Sequence, residues 1–302
     1  MNVTLTVRVC SSSAELERSL EIYNEVLPRR AATSEDIAAW KASSTATEEF
    51  LGSVDGVDAG SAAVSVGASL PDICRMFLTV LAELRCRGVG SALLDASAGW
   101  AVEHGVRELE ATVESDDEES IGFALHRGFE ERSREMGLEL DVKAADSPAA
   151  GPPEGIEIVL FADRPELADG AYDVGSEALP DIPGHEDWTP PPLEQFVESH
   201  LRGLAVFLAV VDGEVVGYAK LREHPDGRTA DHGMTAVKRA WRGRGIAKSL
   251  KLAEITWARA NGIERLTASN EERNAPMLRI NESLGYRPAP GRVYLRGPAT
   301  AR

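Results

Sequence analysis

The sequence has no stretch close to the roughly 18 consecutive apolar residues needed to span a bilayer, and no basic segment leading into an apolar run. Its first residues alternate instead, with Val3, Leu5, Val7 and Val9 set between polar neighbours. That pattern predicts a strand rather than a secretion signal, so a cytoplasmic protein with no membrane partner is expected. Cysteine is scarce. Cys10, Cys74 and Cys86 all fall in the first half, without the spacing or companion histidines of a metal site, so no metal is expected and the thiols read as incidental in a reducing cytosol. Positive charge is also in deficit: 49 acidic against 32 basic residues leave a net charge of −17. Such a field repels phosphate backbones and argues against nucleic acid as a partner, while it favours cationic ligands.

What is present is ordinary globular composition over 302 residues, with 43% hydrophobic and 27% charged. That length suits two domains of about 100–150 residues each. The sequence also repeats. Arg85-Cys86-Arg87-Gly88-Val89-Gly90 resembles Arg242-Gly243-Arg244-Gly245-Ile246-Ala247 at an offset of 242 − 85 = 157. The same offset pairs Val80 with Val237, Trp100 with Trp257, Gly105 with Gly262, and Gly128-Phe129 with Gly285-Tyr286, the signature of an internal duplication. Between the copies lies KAADSPAAGPPEG, residues 143–155, whose composition leaves little to bury. The expected organisation is therefore a first domain over residues 1–142, a linker, and a second domain over 156–302.

Each copy reads as a strand, two helical segments, a hairpin, a strand running into the Arg/Gly loop, a helix, a strand, a short helix and a last strand. The hairpin is clearest in the second copy, where Asp212-Gly213 separates two apolar runs. An α/β fold with a mixed sheet is expected in both copies.

A glycine-rich loop between strand and helix suits a pyrophosphate, because the first helical N–H groups have no intrahelical partners and the helix dipole is positive there. Arg85, Arg87, Arg242, Arg244 and Lys248 add charge, and Lys238, Arg239 and Lys251 extend the basic stretch. A P-loop is excluded because Ala247, not glycine, precedes Lys248-Ser249. The dinucleotide fingerprint fails as well, since both loops continue directly into an apolar helix.

At these residues the chain resembles the GNAT superfamily of acetyltransferases, whose acetyl-CoA loop is similar to Arg-x-x-Gly-x-Gly/Ala. The resemblance extends over nearly the whole chain. It implies that backbone groups of Val80, Leu81 and Ala82, and of Val237, Lys238 and Arg239, hold the pantetheine arm of acetyl-CoA. It also implies pyrophosphate contacts from Arg85, Arg87, Gly88, Val89, Gly90 and Ser91 in one copy. In the other they would come from Arg242, Gly243, Arg244, Gly245, Ile246, Ala247 and Lys248. Asn274 occupies the place of a cofactor-contacting Asn, whereas the first copy has Asp117.

Acetyl transfer needs a neutral amine, and an alkyl ammonium of pKa ~10 is mostly protonated at neutral pH. The resemblance puts a catalytic carboxylate near the head of the strand before the loop, where Asp231 lies, followed by His232; the first copy has Cys74 there. The tyrosine that protonates the leaving thiolate in many relatives is replaced by Ala124 and Asn281. Asn281 is kept as a candidate that hydrogen-bonds the sulfur or the acceptor. The segment from Leu179 to Trp188 corresponds to one wall of the acceptor site, and Asp181, Glu186, Asp187 and Trp188 suit a cationic or sugar-like amine. The expectation is an N-acetyltransferase acting by direct attack in a ternary complex, with the second copy catalytic and the first degenerate. A mycothiol synthase-like member and a non-catalytic acetyl-CoA sensor are the alternatives. A monomer is expected, since tandem copies supply the pairing that single-domain relatives obtain by dimerising.

Overall fold

The structure, a computed structural model, describes residues 4–67, 70–145, 151–181 and 189–300. The chain forms two compact units. Unit 1 comprises Met1–Arg134 with Arg292–Arg302, and unit 2 comprises Glu135–Gly291. These are not the linear halves: the sequence places the division in the 143–155 linker, whereas the compact units divide within two strands.

In unit 1, β1 (Leu5–Val9), β2 (Ser44–Val54), β3 (Val57–Gly67) and β4 (Leu70–Val80) are successively antiparallel, and β5 (Glu108–Glu114) joins β4 in parallel. Helices α1 (Ser13–Val26) and α2 (Ser34–Ala42) follow β1, and both begin at capping boxes, Ser12 with Glu15 and Thr33 with Asp36. Helix α3 (Val89–Glu103) joins β4 to β5, and α4 (Glu118–Leu125) follows β5. Leu93, Ala98 and Ala101 of α3 pack with Val64, Met76 and Leu109 in the main core, while Ile22 of α1 meets Leu51 and Leu81 in a smaller one. The strand beside β5 is supplied by residues 292–298, where Val293 lies opposite Val113 and Leu295 opposite Ala111.

Unit 2 repeats this plan. Of β6 (Glu130–Asp141), residues 135–141 belong to this unit. β7 (Glu157–Leu160) leads through short turns into α5 (Ala168–Ala178) and α6 (Leu193–Phe196), which widens into a π turn at Val197–Leu201. Then come β8 (Ala205–Val211), β9 (Glu214–Glu223), β10 (Thr229–Val237), α7 (Ile246–Ala260), β11 (Arg265–Glu271), α8 (Ala275–Ser283) and β12 (Arg287–Pro298). β8 is apolar throughout because both its faces are covered. Val206, Leu208 and Val210 pack on the α5 side, and Ala205, Phe207 and Ala209 join Ile246 and Leu250 of α7. Residues 135–141 lie antiparallel to β11, and Leu138 and Leu140 share a core with Leu266 and Ile255.

Candidate functional site

The second Arg/Gly loop stands where strand pairing ends. β10 and β11 run parallel for three residue pairs, from Thr229↔Arg265 to Asp231↔Thr267. Beyond them β10 continues to Val237 paired only with β9, and the ladder slips between His232 and Met234, leaving Gly233 as an extra residue. A bulge of this kind increases local twist and redirects neighbouring groups, and bulges are common beside active sites. The edge of β10 beyond Asp231 thus has backbone N–H and C=O groups without a strand partner, suited to a ligand with amide groups of its own. Unit 1 has no slip at this place. There Val64 faces Met76 and Ala63 faces Phe77 in unbroken register.

After β10 the chain makes a short turn, Arg239–Trp241, and enters α7 through Gly245, which has φ +82° and offers no side-chain cap. A left-handed glycine with no Cβ leaves the first helical N–H groups open to an anion. Gly88 does the same at α3 with φ +90°. In both copies the motif arginine braces the loop: Arg242 Nε donates to the Val237 carbonyl at 3.0 Å, and Arg85 Nε to the Val80 carbonyl at 3.4 Å. Arg244 stacks 4.6 Å over Trp241, Lys238 pairs with Glu214 at 2.7 Å, and Gly243, Arg244 and Lys248 are exposed. Ile246 is buried and Ala247 half-buried, so only their backbone faces the turn. Lys251 is not part of this basic surface. It is 2% exposed in the core, where burial lowers its pKa to about 8.

The acceptor-side candidates separate. Asp231 accepts a hydrogen bond from the Thr267 hydroxyl and faces Arg222 across the β9 ladder, with Arg222 Nη2 at 3.8 Å from its Oδ2. His232, the next residue, points to the opposite face, as strand alternation requires. Its Nδ1 lies 2.8 Å from Glu254 of α7, out of hydrogen-bonding alignment, and its Nε2 shares a hydrogen bond with the Tyr286 hydroxyl. Burial, followed by the Lys251 charge, lowers the His232 pKa. This His–Glu–Tyr–Lys cluster belongs to the core of unit 2, apart from Asp231.

Asn281 is fully buried on α8, with Nδ2 donating to Asn270 Oδ1 at 2.6 Å and its own Oδ1 lacking a partner among the described residues. It does not sit on the exposed face of its helix. Asn274 is the N-cap of α8, accepting from Met277 N at 3.4 Å; Asp117 caps α4 in the same way, accepting from Ser120 N at 2.9 Å. The contrast between them is thus first one of helix capping, which both residues satisfy.

Asp181 faces the loop. Its carboxylate accepts from Arg239 at 2.6 and 2.9 Å and lies 2.7 Å from Arg242 Nη2, which lowers its pKa to about 2. Glu177 accepts from the Arg239 backbone N–H at 2.5 Å. Glu186, Asp187 and Trp188 lie outside the described residues. On β9, Arg222 faces Asp231, and Lys220 stands two residues before it on the same face of the strand. Their signal was the i, i+2 spacing from Tyr218 within a strand.

In unit 1 the equivalent surroundings differ. Ser91 accepts from Arg127 at 2.7 Å, Arg85 Nη1 reaches Glu119 at 3.3 Å, and Phe123 of α4 lies close to Gly90, so side chains bridge the loop to α4. Leu81 is buried, Ala82 and Arg87 are exposed, and Val89 is buried at the head of α3. Cys74, at the place of Asp231, is buried, and burial raises its thiol pKa to about 12.

The Acetyltransferase (GNAT) family model matches the chain twice, over residues 18–129 and 171–286. Among curated proteins, a mycothiol acetyltransferase of Nocardioides sp. is 27% identical over 245 residues, covering 76% of this chain and 80% of that one. One from Acidothermus cellulolyticus is 26% identical over 234 residues, covering 70% and 67%. A tandem GNAT protein from the clavulanic acid biosynthesis pathway has a similar fold, with TM-score 0.78 over 98% of this chain and 99% of that one at 21% identity.

Proposed function

Because the chain belongs to the GNAT acetyltransferase family, we propose that unit 2 moves the acetyl group of acetyl-CoA to the amine of a small molecule, with both bound together. One coincidence carries this reading. The bulge at Gly233, a carboxylate at Asp231 and an uncapped helix start at Gly245 meet in the same unit, whereas unit 1 lacks the first two.

The residues fit acetyl-CoA. The unpaired edge of β10 suits the amides of the pantetheine arm, and the Gly245 turn with exposed Arg244 and Lys248 suits the pyrophosphate. When bound, it supplies an acyl group activated by a thiol leaving group of pKa ~8.5. Asp231, oriented by the Thr267 hydroxyl, takes the proton of the acceptor ammonium, directly or through water. The nitrogen then forms a bond to the acyl carbon as the carbon–sulfur bond breaks and its electron pair goes to sulfur, and the nitrogen gives up its second proton to water. Backbone N–H groups of β10 beyond the bulge stabilise the charge that develops on the carbonyl oxygen. Asn281 is an amide and no acid, so the thiolate takes its proton from water. Asp181 holds Arg239 and Arg242 in place rather than contacting the acceptor, and Asn274 offers Nδ2 to the cofactor while its oxygen caps α8.

The names of the curated relatives favour a second reading, in which the acceptor is that of the mycothiol acetyltransferases. A panel of small amines that includes this acceptor, assayed for CoA release, tests both readings. Turnover should appear with at least one amine and vanish in folded Gly245→Glu. Tight acetyl-CoA binding with no release across the panel would support a sensor instead.

A further inference from the structure

Among the described residues, two cations stand on the Asp231 side of β9 with only Asp231, 3.8 Å from Arg222, as counter-charge. Lys220 is only 8% exposed, its Nζ donates to the Ser199 carbonyl at 2.7 Å in the π turn after α6, and no carboxylate pairs with it among the described residues. Arg222, two residues on, has Asp231 at 3.8 Å. Tyr218, two residues before Lys220, is fully buried, and its hydroxyl has no hydrogen-bond partner among the described residues. Period-two alternation puts the three side chains on one face of the strand. A buried ammonium with a single carbonyl partner and an arginine nearby is unfavourable unless something anionic arrives. π turns, moreover, recur at functional positions. The 157-residue offset puts Ser61, Ala63 and Ser65 at the matching places in unit 1, so the charges accompany Asp231 rather than the fold.

We propose that the acceptor of unit 2 carries an oxyanion, a carboxylate or a phosphate, in addition to its amine, and that Lys220 and Arg222 hold this oxyanion. The inference rests on the acetyltransferase reading and narrows its substrate class. It adds an oxyanion to the expected cationic or sugar-like amine: the net charge of −17 acts over distances at which salt screens it, beyond about 8–10 Å, whereas these cations act at contact. It also gives Arg222 a role in timing. An incoming oxyanion takes over the guanidinium, and Asp231 loses its ion pair as the ammonium that it must deprotonate arrives.

The test uses matched amines, β-alanine against n-propylamine and phosphoethanolamine against ethanolamine, titrated calorimetrically into the full chain with desulfo-CoA present. The wild type should bind at least one oxyanion-bearing member tenfold or more tightly than the partner that lacks the oxyanion, and the two arms identify the oxyanion. Lys220→Met should cut that ratio at least tenfold while acetyl-CoA affinity stays within about twofold. If Lys220→Met fails to fold, Arg222→Gln, at a half-exposed position, carries the same test. Equal binding within both pairs, no binding of any member, or equal weakening of both members in the variants would overturn the subsite. Selective binding without CoA release would leave the subsite standing and overturn acetyl transfer.

Discussion

Leu140, which the repeat assigns to the first copy, lies directly opposite Leu266 in the sheet of unit 2. Both are buried, at 3% and 0% exposure. The reciprocal holds at the other end of the chain, where Val293 faces Val113 in unit 1. Each unit therefore takes the strand beside its parallel pair from the other copy. A chain ending at Gly291 should lose the cooperative unfolding of unit 1, and separate pieces 1–142 and 156–302 should each unfold well below the intact protein. Leu295→Ala, at a fully buried position, should cost about 2–5 kcal/mol. Hydrogen exchange locates the effect: fast exchange confined to unit 1 is expected, and undiminished protection of β5 in the shortened chain would refute the exchange of strands.

The two loops should not be equivalent toward acetyl-CoA. Gly245 has φ +82° and, among the described residues, only Pro153 within 4 Å of where a Cβ would stand, so Gly245→Glu adds strain and a negative charge where the pyrophosphate would belong. Calorimetry should show binding at that site abolished. Gly88→Glu should leave most turnover in place, since Phe123, Arg127 and Glu119 already bridge that loop to α4. The reverse result in well-folded variants would assign the chemistry to unit 1.

Lys251 gives a pH signature. Burial lowers its pKa from 10.5 to about 8, so between about pH 8 and 10.5 the unfolded chain binds the extra proton. Stability from this group therefore rises with pH across that window. Below pH 8 the native state carries a buried charge, and the penalty, on the order of a few kcal/mol, is present in full. Lys220, lowered to about 8 by burial, contributes in the same direction. Urea midpoints of the wild type at pH 8 and 10 should show this rise, and Lys251→Met should reduce it to the part that Lys220 contributes. An unchanged pH profile in Lys251→Met would show that the ammonium is not buried.

Much of this was legible in the sequence. The constant 157-residue offset, the Asp212-Gly213 hairpin and the Arg/Gly loops set the duplication and the mixed α/β plan, and they pointed to the loop of the candidate site. The strand exchange was not, because β6 and β12 occupy equivalent places in the repeat. Either can fill either sheet with the same pattern of buried residues. The place of His232 was legible in principle: one residue from Asp231 on a strand, it must face the other way. Lys251 was legible too, lying on the stripe of α7 with Leu250, Glu254 and Ala258 that faces the core. Lys220 and Arg222 were passed over because net charge suggested a cationic acceptor, and net charge does not describe a local site. The bulge at Gly233 depends on pairing with β9, which no local pattern specifies.

The last expectation concerns Asp231 itself. If its carboxylate takes the proton of the acceptor, Asp231→Asn keeps the size and the Thr267 contact but removes the basicity. The kcat should fall by roughly 10²–10⁴, the usual worth of a positioned general base, with acetyl-CoA affinity nearly unchanged. A rise in pH should restore part of the lost rate, because a larger fraction of the amine is then neutral without help. Arg222→Gln gives a useful contrast. It removes the ion pair at 3.8 Å but leaves the base, so its main effect should be on the KM of the acceptor. A loss of acetyl-CoA affinity in Asp231→Asn with kcat unchanged would make Asp231 a structural acid at the head of β10. The proton would then have to leave by another route.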